Sequence, residues 1–174
     1  MEQGKIVPDP PKYDRRYVLN ASRAKELNTT LLLAAPSDDT RLIYTGSRPL
    51  PTVELVYQNQ LPNCPGKSSV GLLVTYPPRG STPPHRHGGA SVCAFVVEGT
   101  VLTKMNDGPT RMVEQGGSWF EAPGCHHKVS ENDSATEFAK LLATMIVDTD
   151  VVEKGGVAAL VVYDDEYKDV GLKA

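Results

Sequence analysis

The chain has 174 residues, 40% of them hydrophobic, which suffices for one well-buried core and is short for two. Its 18 basic and 21 acidic side chains give a net charge of -3 with neither sign gathered into a long run, which argues against nucleic acid and anionic membrane as partners and leaves a small molecule. No apolar run is long enough to span a bilayer, and the start "MEQGKIVPDPPKYDRR" lacks the apolar centre of a signal peptide, so the expected location is cytoplasmic.

Residues 1–18 carry prolines and charges without apolar periodicity and are read as an extended arm, leaving residues 19–174 as a single domain. "NASRAKEL" predicts one short helix, with Asn20 or Ser22 accepting the free amide protons of its first turn. After it come short runs rich in β-branched residues and separated by Gly, Pro, Asn or Asp: "TLLLAA", "TVELVYQ", "SVGLLVTY", "SVCAFVVEG", "TVLTKM", "TRMVEQ", "SWFEA", "HKVSEN", "KLLATMIVD" and "VAALVVY". This is the rhythm of an all-β protein. "NDGP" (Asn106 to Pro109) predicts a hairpin turn, since Asn, Asp and Gly tolerate positive φ at little cost. Runs that are apolar on both faces, such as "KLLATMIV", predict a second packing surface and a homodimer. Cys64, Cys93 and Cys125 are odd in number and form no CxxC pair, as expected for reduced thiols.

All four histidines fall in two places, "PPHRHGGASVCAFVVEG" and "PGCHHKVSEN". Alternate residues of a strand share a face, so His85 and His87 project two imidazoles into one space, an arrangement that suits a metal ion. Pro83 and Pro84 stiffen the approach, and Gly88 and Gly89 permit a bend beyond it. Taken alone, two such histidines are as readily a solvated pair on a surface strand.

The two segments resemble the paired motifs of the cupins. His85 and His87, then four residues, Val92, six more and Gly99 follow the first motif, with Gly80 one place later than the motif glycine. Gly116, five residues, Ala122, Pro123, Gly124, two residues and His127 follow the second, with alanine in place of the usual proline. Glu131 stands at the motif asparagine position and Asn132 comes next. The motifs cover residues 80–99 and 116–132. The resemblance implies a jelly-roll β-barrel with one divalent ion near its mouth, held by His85, His87 and His127. The motif register selects His127 over His126.

Val92 occupies the position where most metal-binding cupins carry a glutamate ligand, so three neutral imidazoles are expected. Dioxygenases of this kind complete the metal's shell with an anionic substrate, and the leading expectation is oxidative C–C cleavage of a small aromatic or enolisable carbonyl compound with Fe(II). Zn, Mn, Ni or Cu would also suit three imidazoles. The alternatives are a non-oxidative decarboxylase, isomerase or cyclase in which the metal is a Lewis acid, and a small-molecule-binding cupin without turnover.

Three further residues are candidates for catalysis. Glu98 shares strand parity with Val92, although a glutamate at that place also serves a turn. Glu131, four residues after His127, should point inward with it. His126 points away from its neighbour in a regular strand and is read as lying behind the cavity or outside it. Glu121, on the same face as Trp119, is read first as solvent-facing, with a general base near the metal as the alternative. Val92, Trp119 and Tyr76 are expected to line the substrate pocket, Phe95 and Phe120 to be core, and Cys93 to be a small buried hydrophobe facing opposite Val92.

Overall fold

The computed structural model describes residue 44 and residues 46–170; the expected arm, the helix in "NASRAKEL" and the strand in "TLLLAA" lie outside them. The described chain forms eleven strands: β1 (Thr52–Gln60), β2 (Lys67–Tyr76), β3 (Ser81–Thr82), β4 (His85–Arg86), β5 (Ser91–Glu98), β6 (Thr100–Met105), β7 (Arg111–Glu114), β8 (Ser118–Glu121), β9 (His127–Asn132), β10 (Ala139–Asp148) and β11 (Val162–Tyr163). One antiparallel sheet runs β1-β2-β10-β5-β8, and the other runs β11-β4-β9-β6-β7 with β3 also paired to β9. This is the expected all-β jelly-roll arrangement.

The two sheets close over a core that binary patterning dictates. Along β10, Ala139, Leu141, Ala143, Met145 and Val147 alternate inward, and Val92, Ala94 and Val96 of the adjacent strand β5 point the same way beside them. Burying a side chain the size of Leu72 or Met145 stabilises such a core by roughly 2 kcal/mol. The other face of the first sheet stays exposed at Leu55, Phe95, Val97, Phe120 and Ile146. Phe95 and Phe120 are therefore not core, and Cys93, paired with Phe120 across the β5–β8 rung, is exposed rather than buried.

Two bulges depart from regular pairing. On β5, Glu98 pairs with Lys140 but Val96 pairs with Leu141, so Val97 is an extra residue and the parity beyond it is reversed. On β9, Val129 pairs with Lys104 but His127 pairs with Met105, so Lys128 is the extra residue there. The turn at Asn106 (φ 50°) joins β6 to β7 as expected. At the motif glycine position, Arg79 adopts the left-handed conformation glycine favours (φ 55°).

"VAALVVY" is not one strand. After β10 the chain enters a helix, α1 (Thr149–Gly155), then a 3-10 turn over Gly156–Leu160, and only Val162–Tyr163 pairs, as β11. This segment returns across the mouth of the barrel and lies on β4. Gly88 (φ 57°) makes that approach possible, because a Cβ there would collide with the carbonyl oxygen of Ala159.

Candidate metal centre

His85 and His127 sit directly opposite one another on β4 and β9. His87 follows one place beyond the end of β4, and exposed Arg86 separates it from His85, as the alternation of a strand requires. All three histidines are buried, and their ligand atoms lie within 4.8 Å of one another. They open into a cavity otherwise walled by Val53, Leu72, Val74, Val92, Ala94, Met145 and their neighbours.

Backbone carbonyls fix two of the rings. His85 Nδ1 donates to the Pro83 carbonyl at 2.7 Å, and His87 Nδ1 donates to the Leu160 carbonyl at 2.9 Å. A carbonyl accepts only, so in the neutral rings Nε2 is left with a lone pair. His127 Nε2 shares a hydrogen with Thr103 Oγ1 at 2.9 Å, which leaves its Nδ1 toward the cavity. Burial and the neighbouring histidines push the His85 pKa well below its usual value. Burial lowers that of His127 to about 4, with the Glu121 carboxylate opposing the fall. Neutral rings of this kind are ready to bind a metal without first losing a proton.

Glu121 joins them, contrary to the solvent-facing position expected. It is 2% exposed, with Oε1 accepting from Trp119 Nε1 at 2.8 Å. Its Oε2 lies 3.1 Å from His87 Nε2, and Oε1 lies 3.4 Å from His127 Nδ1. Burial raises its pKa, but the adjacent His127 and His87 rings and the Trp119 hydrogen bond outweigh that and hold it below the usual carboxylate value. The signal that locates it was present in the sequence. Trp119 faces inward, and Glu121 shares its parity.

His87 Nε2, His127 Nδ1 and Glu121 Oε2 are buried and have no hydrogen-bond partner. Three buried polar atoms without hydrogen-bond partners, converging in a largely apolar cavity, form the pattern a bound cation would satisfy. The residues therefore fit a divalent ion.

The other expected site residues are dispersed. Val92, Trp119 and Tyr76 line the cavity. The Tyr76 hydroxyl bonds Thr82 Oγ1 at 2.8 Å and Ser130 Oγ at 2.7 Å, and burial raises its pKa to about 12, so the phenol stays protonated. Glu98 lies beyond the Val97 bulge, turns outward and meets Lys140 Nζ at 2.6 Å. Glu131 lies beyond the Lys128 bulge, which brings Ser130 rather than Glu131 to the cavity beside His127; Arg48 engages the Glu131 carboxylate on the other face. His126 points away from the cavity, and its Nε2 meets Asp164 Oδ2 at 2.8 Å. No sequence signal marks the Leu160 carbonyl as the group that orients His87.

Residues 72–145 match the cupin domain family, and this match falls on the two sheets and the three histidines just described. That segment of the chain is thus matched as a cupin domain. It is similar to a double-stranded β-helix domain protein of Klebsiella pneumoniae subsp. pneumoniae: 15% identity over 63% of this chain and 87% of that one, with a TM-score of 0.48. A cupin domain from Bordetella pertussis shares 22% identity over 57% of this chain and 96% of that one, with a TM-score of 0.46. An oxalate oxidase in complex with the substrate analogue glycolate shares 20% identity over 66% of this chain and 63% of that one, at a TM-score of 0.43. No curated protein matches the chain. No helix among the described residues is long and apolar enough to cross a membrane.

Proposed function

We propose that this cupin-domain protein is a metal-dependent enzyme acting on a small carbonyl or phenolic compound with a largely apolar body. The observation that carries this reading is the convergence of buried, unpartnered His87 Nε2, His127 Nδ1 and Glu121 Oε2 inside the apolar cavity, with His85 beside them. His85, His87 and His127 would hold a divalent ion, Fe(II) being the first expectation; it would polarise a substrate oxygen and lower its pKa. Val92, Leu72 and Met145 exclude water and hold the apolar body. No lysine or arginine lines the cavity among the described residues, so an anionic group of the substrate has only the metal to meet it.

Glu121 alters the balance between the two chemistries expected from the sequence. Its carboxylate brings negative charge into the site, so an anionic substrate is no longer needed to supply it. With that charge already present, the ion can polarise a neutral carbonyl, which favours a non-oxidative lyase, isomerase or cyclase. Oxidative cleavage keeps the support of Val92, which leaves the β5 ligand position vacant.

The test begins with metal analysis of protein purified without added ions. It continues with nuclear magnetic resonance of an enolisable-carbonyl and phenol panel in D2O, with and without O2. Conversion or solvent deuterium uptake that needs the metal but not O2 is the expected result. Strict dependence on O2 would return the reading to the dioxygenase, and protein that neither contains nor takes up a divalent ion would overturn it.

A further inference from the structure

Val92 and Glu121 are direct partners on adjacent strands, β5 and β8, and both side chains are buried and turned into the cavity. A carboxylate at either position of that rung enters the same space, because cross-strand partners bring their Cβ atoms within about 5 Å. The contact that Glu121 makes is unusual. The Leu160 carbonyl accepts from His87 Nδ1, which turns Nε2 into the cavity, where it lies 3.1 Å from Glu121 Oε2. Neither atom has a hydrogen-bond partner. Two buried polar atoms this close, neither of them hydrogen-bonded, are both satisfied by a cation that they share. The same carboxylate reaches toward His127 Nδ1, so it sits at the meeting point of two of the three imidazoles.

We infer that Glu121 is a fourth protein ligand of the metal, supplying from β8 the carboxylate that Val92 cannot supply from β5. This rests on the metal reading above and adds to it the source of the site's negative charge. Trp119 Nε1 holds the second carboxylate function by donating to Oε1, which leaves Oε2 for the ion.

The experiment is Co(II) titration of the full chain, competed by a chelator and followed by visible absorption, for the wild type, Glu121→Gln and the exchange Val92→Glu/Glu121→Val. Circular dichroism checks each fold. Glu121→Gln should weaken Co(II) binding at least 100-fold and change the visible bands, because a ligand is lost. The exchange should restore affinity to within tenfold of wild type, since the carboxylate re-enters from the other side of the rung. Glu121→Gln binding Co(II) within threefold of wild type would overturn the inference. So would weakened binding with unchanged bands, the mark of a residue that only positions its neighbours or shares a proton with His87, and so would failure of the exchange to recover affinity. A wild type that binds no Co(II) would instead remove the metal reading itself.

Discussion

Gly88→Ala tests whether the segment after β10 holds the metal site in shape. Gly88 and Gly89 both have positive φ, 57° and 84°, so alanine at either carries the left-handed penalty of about 1 to 2 kcal/mol. They differ in what the new methyl meets. At Gly89 nothing lies within 4 Å, whereas at Gly88 the methyl runs into the Ala159 carbonyl, one residue before the carbonyl that accepts from His87 Nδ1. Relief of that collision requires the 3-10 turn to move off β4. The movement costs the His87 hydrogen bond, about 1 kcal/mol, and a similar amount in packing at buried Leu160. Gly88→Ala should therefore be destabilised by about 3 to 4 kcal/mol and Gly89→Ala by about 1 to 2, measured by urea denaturation of the metal-free proteins. Loss of the group that orients His87 should also weaken metal binding by roughly 10- to 100-fold in Gly88→Ala only. Equal stability and equal metal affinity in the two variants would refute the idea that the returning segment orients the site.

Alanine at His85, His87 or His127 should abolish tight metal binding with the fold retained, whereas His126→Ala, which loses only the contact to Asp164, should change affinity less than threefold; equilibrium dialysis distinguishes them. In metal-free protein, the His127 pKa of about 4 lies below the unfolded value of 6.5, so the folded state resists protonation and stability should fall as pH drops from 6.5 toward 4. Replacing His127 with Gln should remove up to roughly 3 kcal/mol of that dependence, read from urea midpoints in a chelating buffer. The exposed apolar face containing Phe95, Phe120 and Ile146 predicts a homodimer at micromolar concentration by light scattering, and Phe95→Ser/Phe120→Ser should shift it to monomer.

The histidines were legible because they lie where the strand period still holds. His85 and His87 straddle one outward residue, and the resemblance to the second cupin motif selects His127, the ring that turns inward, rather than His126. The errors over Glu98 and Glu131 share one cause. Each lies past a bulge, at Val97 or Lys128, and a single extra residue exchanges the two faces of the strand beyond it. A bulge is set by which neighbour the strand pairs with, and that information is not local to the strand's own residues. Glu121 departs from its first reading for a different reason: a carboxylate favours the surface, whereas inward Trp119 at the same parity points the other way. The apolar "VAALVVY" resembled a strand, but Gly155 and Gly156 before it let the chain turn through a short helix and a 3-10 segment across the barrel mouth.

The central claim, that His85, His87, His127 and Glu121 together hold one divalent ion, is tested most directly by the stoichiometry of metal uptake. Metal-free protein should be titrated with Fe(II), Mn(II), Co(II), Ni(II), Cu(II) and Zn(II), with His127→Ala as the control. The account predicts one ion per chain for at least one of these metals and none in the control; uptake that is absent for all six, or equal in the control, would contradict it.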